Sequence, residues 1–116
     1  MDLFNSLKKQ FGDGMNVIAE DLGYQTESVK QLLKDSGFPG MKILEFAFDS
    51  REESDYIPYR YTQNCVVYTG THDNDTVKGW CTSASKEDVA NAKKYLRAAT
   101  DEECVREMMI CAMASV

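Results

Sequence analysis

Residues 65–76 read Cys-Val-Val-Tyr-Thr-Gly-Thr-His-Asp-Asn-Asp-Thr, and this stretch decides the fold. It opens with an apolar run that is typical of a buried strand, which we predict over residues 65–69. His72, the sole histidine of the chain, follows the run and stands beside Asp73. A strand that ends in such a pair predicts chemistry at its carboxyl end, where the active sites of parallel α/β folds lie.

Two further apolar runs end in the same way. Glu20 and Asp21 close a strand predicted over residues 16–20, and Asp49 follows a strand predicted over residues 41–48. The carboxyl ends of parallel strands share one edge of a sheet. We therefore expect Glu20, Asp49 and Asp73 at a common rim lined with carboxylates.

Helical patterns alternate with these strands. Apolar residues recur at helical spacing over residues 2–11 and 27–34, in a helix that starts at Ser85 and in another from about Asp101. Either Gln25 or Thr26 could cap the second helix, and threonine is the better cap chemically. Strands alternating with helices predict an α/β fold with parallel strands joined by crossovers.

Three strands cannot close a barrel. The apolar helical pattern also continues to the final residues, Met113 to Val116, without a stop signal. We therefore expect residues 1–116 to form a single partial domain, an open layer of three neighbouring strands with helices against one side. Its open edges and apolar faces predict a tendency to aggregate.

The composition of the chain limits the classes of partner and the cellular compartment that we predict for it. The formal charge is −6, and no basic block is present, so we predict no nucleic-acid partner. The N-terminus lacks the apolar core of a signal peptide, and no run reaches membrane-spanning length, so we predict a cytoplasmic protein without a membrane partner. The four cysteines have no metal-site spacing and are expected to be reduced: Cys65, Cys81, Cys104 and Cys111.

Other interpretations of these motifs stay open at this point. Glu20 and Asp21 could belong to a solvated loop, and the run from Thr71 to Asn74 could be a turn before a helix cap. The same run could hold a metal ion, although one histidine makes that a minority interpretation, and we predict no metal and no cofactor. Trp80 is more typical of a core residue than of a sugar-stacking one.

With these motifs assembled, the chain resembles the 4-α-glucanotransferases (amylomaltases or disproportionating enzymes) of the α-amylase clan. The resemblance runs from about residue 3 to the end, and its ordered motifs lie at residues 17–23, 37–44, 46–49, 66–76 and 79–80. It implies a partial (β/α)8 TIM barrel that covers about strands 5 to 7. One departure is Tyr59, where the family often has histidine after the proline.

The resemblance also implies roles for single residues. Glu20 matches the general acid/base, Asp73 the carboxylate that stabilises the transition state, and His72 a sugar-binding histidine beside the scissile bond. The residues Asp21, Asn74 and Asp49 fall in motifs that line the sugar cleft. The implied partners are α-1,4-glucans, namely maltooligosaccharides and fragments of starch or glycogen.

The implied reaction is the transfer of α-1,4-glucan segments to a sugar acceptor by a retaining double displacement. Such a mechanism needs a second carboxylate about 5–5.5 Å from the acid/base. In the family this nucleophile lies in an Arg-x-Asp motif, which the chain lacks, and neither Asp2 nor Asp13 has the right context. We expect this stretch to be inactive alone. The alternative hypothesis is a non-catalytic carbohydrate-binding or interaction module derived from the barrel.

Overall fold

Two short strands form the sheet of the computed structural model, which describes residues 1–12 and 14–115. They are β1 (Gly40–Ile43) and β2 (Cys65–Tyr68), which lie side by side and run parallel. The prediction for residues 65–69 is thus confirmed to within one residue. In the part of the chain described, the sheet has two strands instead of the three expected.

The predicted strand over residues 41–48 is wrong beyond Ile43. There the chain turns into a 3-10 helix, Leu44–Phe46, which the N–H of Ala47 closes by donating to the carbonyl of Leu44. A second 3-10 helix, Pro58–Arg60, precedes β2. Burial explains the error, since Leu44, Ala47 and Phe48 are all buried in a helical turn as fully as they would be in a strand.

The predicted strand over residues 16–20 is also wrong, because this segment forms no strand. It makes one sheet-like hydrogen bond, from the N–H of Ala19 to the carbonyl of Pro39 at 2.9 Å. Proline has no N–H with which to return a bond. The apolar run therefore lies beside the chain that enters β1 without joining the ladder.

Five helices complete the described chain. They are α1 (Asp2–Phe11), α2 (Glu27–Ser36), α3 (Val77–Ser83), α4 (Lys86–Leu96) and α5 (Asp101–Ala114). Four of the helices begin at a hydroxyl side chain that accepts a backbone N–H, which satisfies one of the free donors of the first turn: Thr26, Thr76, Ser85 and Thr100. The predictions for α1, α2, α4 and α5 are confirmed, and Thr26 is the cap of α2. Helix α3 was not predicted from the sequence.

The chain divides into two compact units, and the boundary runs across both strands. One unit comprises residues 1–41 and 64–66, and the other comprises residues 42–63 and 67–116. In the first unit Phe38 is buried, and the ring of Phe4 meets it edge-to-face at 5.5 Å between centroids. The prediction of one partial domain over residues 1–116 stays a prediction.

The second unit contains the main core, where helices α4 and α5 pack against the segment that follows β1. Its buried members are Leu44, Ala47, Phe48, Ile57, Ala92, Cys104 and Met108. Trp80 packs against this cluster, with its ring 6.3 Å from that of Phe48, which agrees with a core role. The four cysteines are free thiols, as expected.

Helix α5 ends at Ala114, and Val116 lies outside the described residues, as does Asp13. Within residues 1–12 and 14–115, no helix has the length and apolar character needed to cross a bilayer.

Candidate active site

The turn that follows β2 is closed on itself. The side-chain oxygen Oδ1 of Asn74 accepts the backbone N–H of Thr71 at 2.9 Å and its hydroxyl at 2.8 Å. In return the carbonyl of Thr71 accepts the N–H of Asn74 at 3.0 Å, and its Oγ1 accepts the N–H of Asp73 at 3.2 Å. Asn74 is therefore the side chain that shapes this turn, which we call the 71–74 turn.

His72 and Asp73 project from the 71–74 turn as an exposed pair. Nε2 of His72 lies 3.3 Å from Oδ1 of Asp73, and the two side chains are 87% and 78% exposed. Because both side chains are exposed, their polar atoms are accessible to a ligand. A fixed anion beside an imidazole can stabilise developing positive charge while the ring nitrogens bind hydroxyl groups.

Glu20 and Asp21 differ in their surroundings although they are neighbours in sequence. The Glu20 side chain is exposed, whereas Asp21 is half-buried. Oδ1 of Asp21 accepts the N–H of Met41 at 2.6 Å, and a Cβ on Gly40 would lie 2.5 Å from its Oδ2. The Asp21 carboxylate thus holds the start of β1, and its role in lining a sugar cleft stays a prediction.

Asp49 is engaged by a residue that the sequence reasoning did not single out. Arg51 binds its carboxylate with two side-chain bonds, Nε to Oδ1 at 2.9 Å and Nη2 to Oδ2 at 2.6 Å. The backbone N–H of Arg51 adds a third bond at 2.9 Å. These bonds lower the pKa of Asp49 to about 2, so the group is an anion throughout the neutral range. An arginine two residues after the aspartate was the available signal.

Tyr59, the departure from the family pattern, lies at the surface. Its hydroxyl donates to the Glu53 carboxylate, and the Arg60 guanidinium stands 5.8 Å from the centre of its ring. Both neighbours belong to the same surface segment as Tyr59.

Glu45 is the titratable residue that sequence reasoning missed. It is 7% exposed, and burial together with the negative charge of Asp75 raises its pKa to about 7. A carboxyl group inside the apolar run from Ile43 to Ala47 was a visible signal. In a strand, alternation would place every second residue of such a run towards solvent, so the sequence does not predict that Glu45 is buried.

The structure thus pairs two of the predicted site residues and closes their turn with a third. His72 and Asp73 are paired and Asn74 holds their turn, all in the second compact unit, while Glu20 and Asp21 belong to the first. The proximity of Glu20 to Asp73 stays a prediction. Among residues 1–12 and 14–115 no group of three or more acidic, histidine or cysteine side chains could hold a metal ion.

Comparison with known proteins decides the family. A family model described as 4-alpha-glucanotransferase matches residues 1–116. The chain belongs to the 4-alpha-glucanotransferase family. A 4-alpha-glucanotransferase of Clostridium butyricum is 51% identical over 104 residues, which cover 89% of this chain and 21% of that relative. The chloroplastic/amyloplastic 4-alpha-glucanotransferase of Solanum tuberosum is 46% identical over 114 residues, which cover 98% of this chain and 20% of that enzyme.

Solved structures agree with this membership in the 4-alpha-glucanotransferase family. The amylomaltase of Streptococcus agalactiae in complex with acarbose superposes with a TM-score of 0.88 at 40% identity. The match covers 99% of this chain and 23% of the amylomaltase. The chain therefore spans about a fifth of the length of the curated relatives it matches.

Proposed function

We propose that this chain is part of an enzyme that transfers α-1,4-glucan segments to a sugar acceptor by a retaining double displacement. The observation that carries the proposal is the exposed His72–Asp73 pair on a turn that Asn74 closes, in a chain that the family matches from end to end. The complex of the Streptococcus agalactiae amylomaltase with acarbose supports a ligand of the oligosaccharide class.

The proposed chemistry assigns one task to each group. Glu20 protonates the glycosidic oxygen as the bond breaks, a contribution of about 10²–10⁴-fold for a well-placed acid. Asp73 stabilises the oxocarbenium-like transition state more than the neutral ground state, because only the transition state carries positive charge. His72 binds hydroxyl groups of the sugar and so holds the ring in place. Asp21, Asp49 and Asn74 support the cleft around them.

The nucleophile is proposed to lie outside this stretch. No Arg-x-Asp occurs in the chain, and a retaining reaction needs that second carboxylate. We propose that residues 16–20, which form no strand in the described chain, take the place of the fifth strand of a (β/α)8 barrel in the full-length protein. We propose that β1 and β2 correspond to its sixth and seventh strands, in a cytoplasmic enzyme. An Arg-x-Asp motif in the coding sequence upstream of this chain would support the proposal, and its absence there would count against it.

Kinetics of the full-length protein that contains this chain test the assignment. With maltotriose as substrate, Glu20→Gln and Asp73→Asn should each lower kcat for glucan transfer by at least about 100-fold. Glu27→Gln is the matched control, since Glu27 is exposed and pairs with Lys30 one turn along α2. Near-normal turnover in Glu20→Gln would remove Glu20 from the mechanism. Binding of maltotriose without any turnover by the unsubstituted protein would favour a non-catalytic module.

A further inference from the structure

Glu45 occupies a buried position at the end of β1 for which the proposed mechanism has no use. Its backbone N–H donates to the carbonyl of Thr69 at 3.0 Å, which ties the first residues beyond β1 to the end of β2. The side chain is 7% exposed, and its Oε1 is enclosed without a hydrogen-bond partner among the residues the structure describes. A buried carboxyl oxygen without a partner is costly, so its position calls for a reason.

The carboxyl group occupies the space where a Cβ of Gly70 would stand. A Cβ built on Gly70 would stand 2.9 Å from Oε1, 3.0 Å from Cδ and 3.1 Å from Oε2 of Glu45. All three distances are shorter than ordinary van der Waals contact, and the three atoms are equally near. Glycine at position 70 therefore makes room for this carboxyl group, and the carboxyl group in turn fixes where Gly70 can lie.

Gly70 leads directly into the 71–74 turn. Because Asn74 closes that turn on itself, the turn keeps its shape, and its position depends on the residues at its two ends. At the far end Asp75 is tied to α3, with its Oδ1 accepting the N–H of Thr76 at 2.8 Å and its Oδ2 accepting the hydroxyl of Ser83 at 3.3 Å. At the near end the support is Glu45.

We propose that Glu45 is a positioning residue, which holds the 71–74 turn through Gly70 and thereby aims His72 and Asp73. This inference rests on the proposed function for its kinetic consequence, although the positioning itself is a property of the structure. Glu45 touches no reacting atom in this scheme and acts through the turn alone.

Charge makes the support sensitive to pH. Asp75 is the charged side chain that acts on Glu45. The residues that follow β2 contribute uncharged Thr69 and Gly70, and the 3-10 helix Leu44–Phe46 contributes two apolar side chains. Burial and Asp75 both favour the protonated form, in which the carboxyl group can stay where it is. Above neutral pH the ionised group would face Asp75 without water, and we expect it to move out and displace Gly70 and the turn.

The first test compares pH profiles of glucan transfer from maltotriose by the full-length protein. The Glu45→Gln variant keeps the shape of the side chain but cannot ionise, so kcat/KM should fall less steeply on the alkaline side than in the unsubstituted protein. At about pH 8 the variant should keep a several-fold larger fraction of its maximal kcat/KM than the unsubstituted protein keeps of its own. The control Glu27→Gln should retain the original profile. Superimposable profiles for Glu45→Gln and the unsubstituted protein would overturn the proposal.

A second test uses the close approach of the Glu45 carboxyl group to Gly70. Gly70→Ala should lower kcat by about tenfold or more, because the new methyl group displaces the carboxyl group or the turn. Combining Gly70→Ala with Glu45→Ala should restore part of that loss, since it removes the colliding carboxyl group, whereas combining it with Glu45→Gln should not. Full activity of Gly70→Ala, or equal rescue by both partners, would contradict the proposal.

A spectroscopic readout keeps the inference separate from the proposed activity and from any variant that fails to fold. In protein labelled with ¹³C on glutamate carboxyl groups, the resonance that Glu45→Gln removes should titrate near neutral pH. The backbone amide resonance of Asp73, followed in a His72→Gln background, should shift with the same midpoint and lose that inflection when Glu45→Gln is added. An Asp73 inflection that persists after Glu45→Gln is added would reject the positioning role. A protein without transfer activity would reject the proposed function and leave this test intact.

Discussion

A single oxygen of Asn74 determines the shape of the candidate active-site turn. It accepts two hydrogen bonds from Thr71, and a buried or half-buried acceptor of this kind contributes about 1 kcal/mol for each bond it makes. His72 and Asp73 depend on this oxygen for their placement, since their own side chains are exposed. The contribution of Asn74 is therefore structural, although the sequence motif places it among the ligand-binding residues.

Substitution at Asn74 should separate these two contributions. Asn74→Ala removes the acceptor, so the 71–74 turn should loosen, and kcat for glucan transfer in the full-length protein should fall by about tenfold or more. Asn74→Asp is the matched control, because a carboxylate oxygen can accept the same two bonds. If Asn74→Ala and Asn74→Asp lose activity equally, the amide nitrogen matters and the acceptor explanation fails.

At this scale the sequence predicts those site residues that directly follow a recognisable strand. The stretch from His72 to Asn74 was identified from its place after β2, and the structure pairs two of its members. Sequence reasoning failed for Glu45 and Arg51, whose importance comes from three-dimensional burial and from a pairing across a bend. Neither burial nor pairing of this kind has a periodic signature in the sequence.

At the scale of elements, helix caps were predictable and strand lengths were not. Thr26 and Ser85 mark the first turns of α2 and α4 because a hydroxyl that binds a backbone N–H is a local interaction. The prediction of a strand over residues 16–20 is wrong because this segment pairs with Pro39, which is distant in sequence and has no N–H to donate in return. The prediction of a strand over residues 41–48 is wrong beyond Ile43 because a buried 3-10 turn and a buried strand contain the same apolar residue types.

Helix α5 offers a test of the core at this scale. Met108 is fully buried whereas its neighbour Met109 is 48% exposed, so the two form a matched pair on one helix. Met108→Ala should destabilise the protein by about 2–5 kcal/mol, the range for truncating a buried methionine. Met109→Ala should change the free energy of unfolding by about 0.5 kcal/mol or less. Chemical denaturation of both variants measures the difference, and equal losses would contradict the assignment of the core.

At the scale of the whole chain, stability should depend on the protonation of Glu45. Its pKa is raised from 4.5 to about 7, so the folded chain binds a proton that the unfolded chain has already released between these values. Stability from this group is therefore fully present below about pH 4.5 and falls as the pH rises through about 7. The upper limit of the loss is about 3 kcal/mol, from 1.36 kcal/mol for each pH unit of difference.

Denaturant unfolding of the chain between about pH 5 and about pH 8 measures this dependence. The free energy of unfolding should fall with pH in the natural sequence and change less in Glu45→Gln. Asp49 acts in the opposite sense, since its pKa lies below the ordinary value and its contribution disappears only as the solution becomes strongly acidic. A stability that rises between these two pH values in the natural sequence and is unaffected by Glu45→Gln would contradict the burial of the Glu45 carboxyl group.

Three glycines in this chain share one environment, in which a carboxylate occupies the space where a Cβ would stand. Gly40 faces Asp21, Gly70 faces Glu45 and Gly79 faces Asp75. At each of these points the smallest increase in side-chain volume, a single methyl group, would dislodge an acidic group from its place. Laboratory evolution of this protein should therefore accept alanine at these three codons far less often than at Gly14, where a methyl group would meet open space.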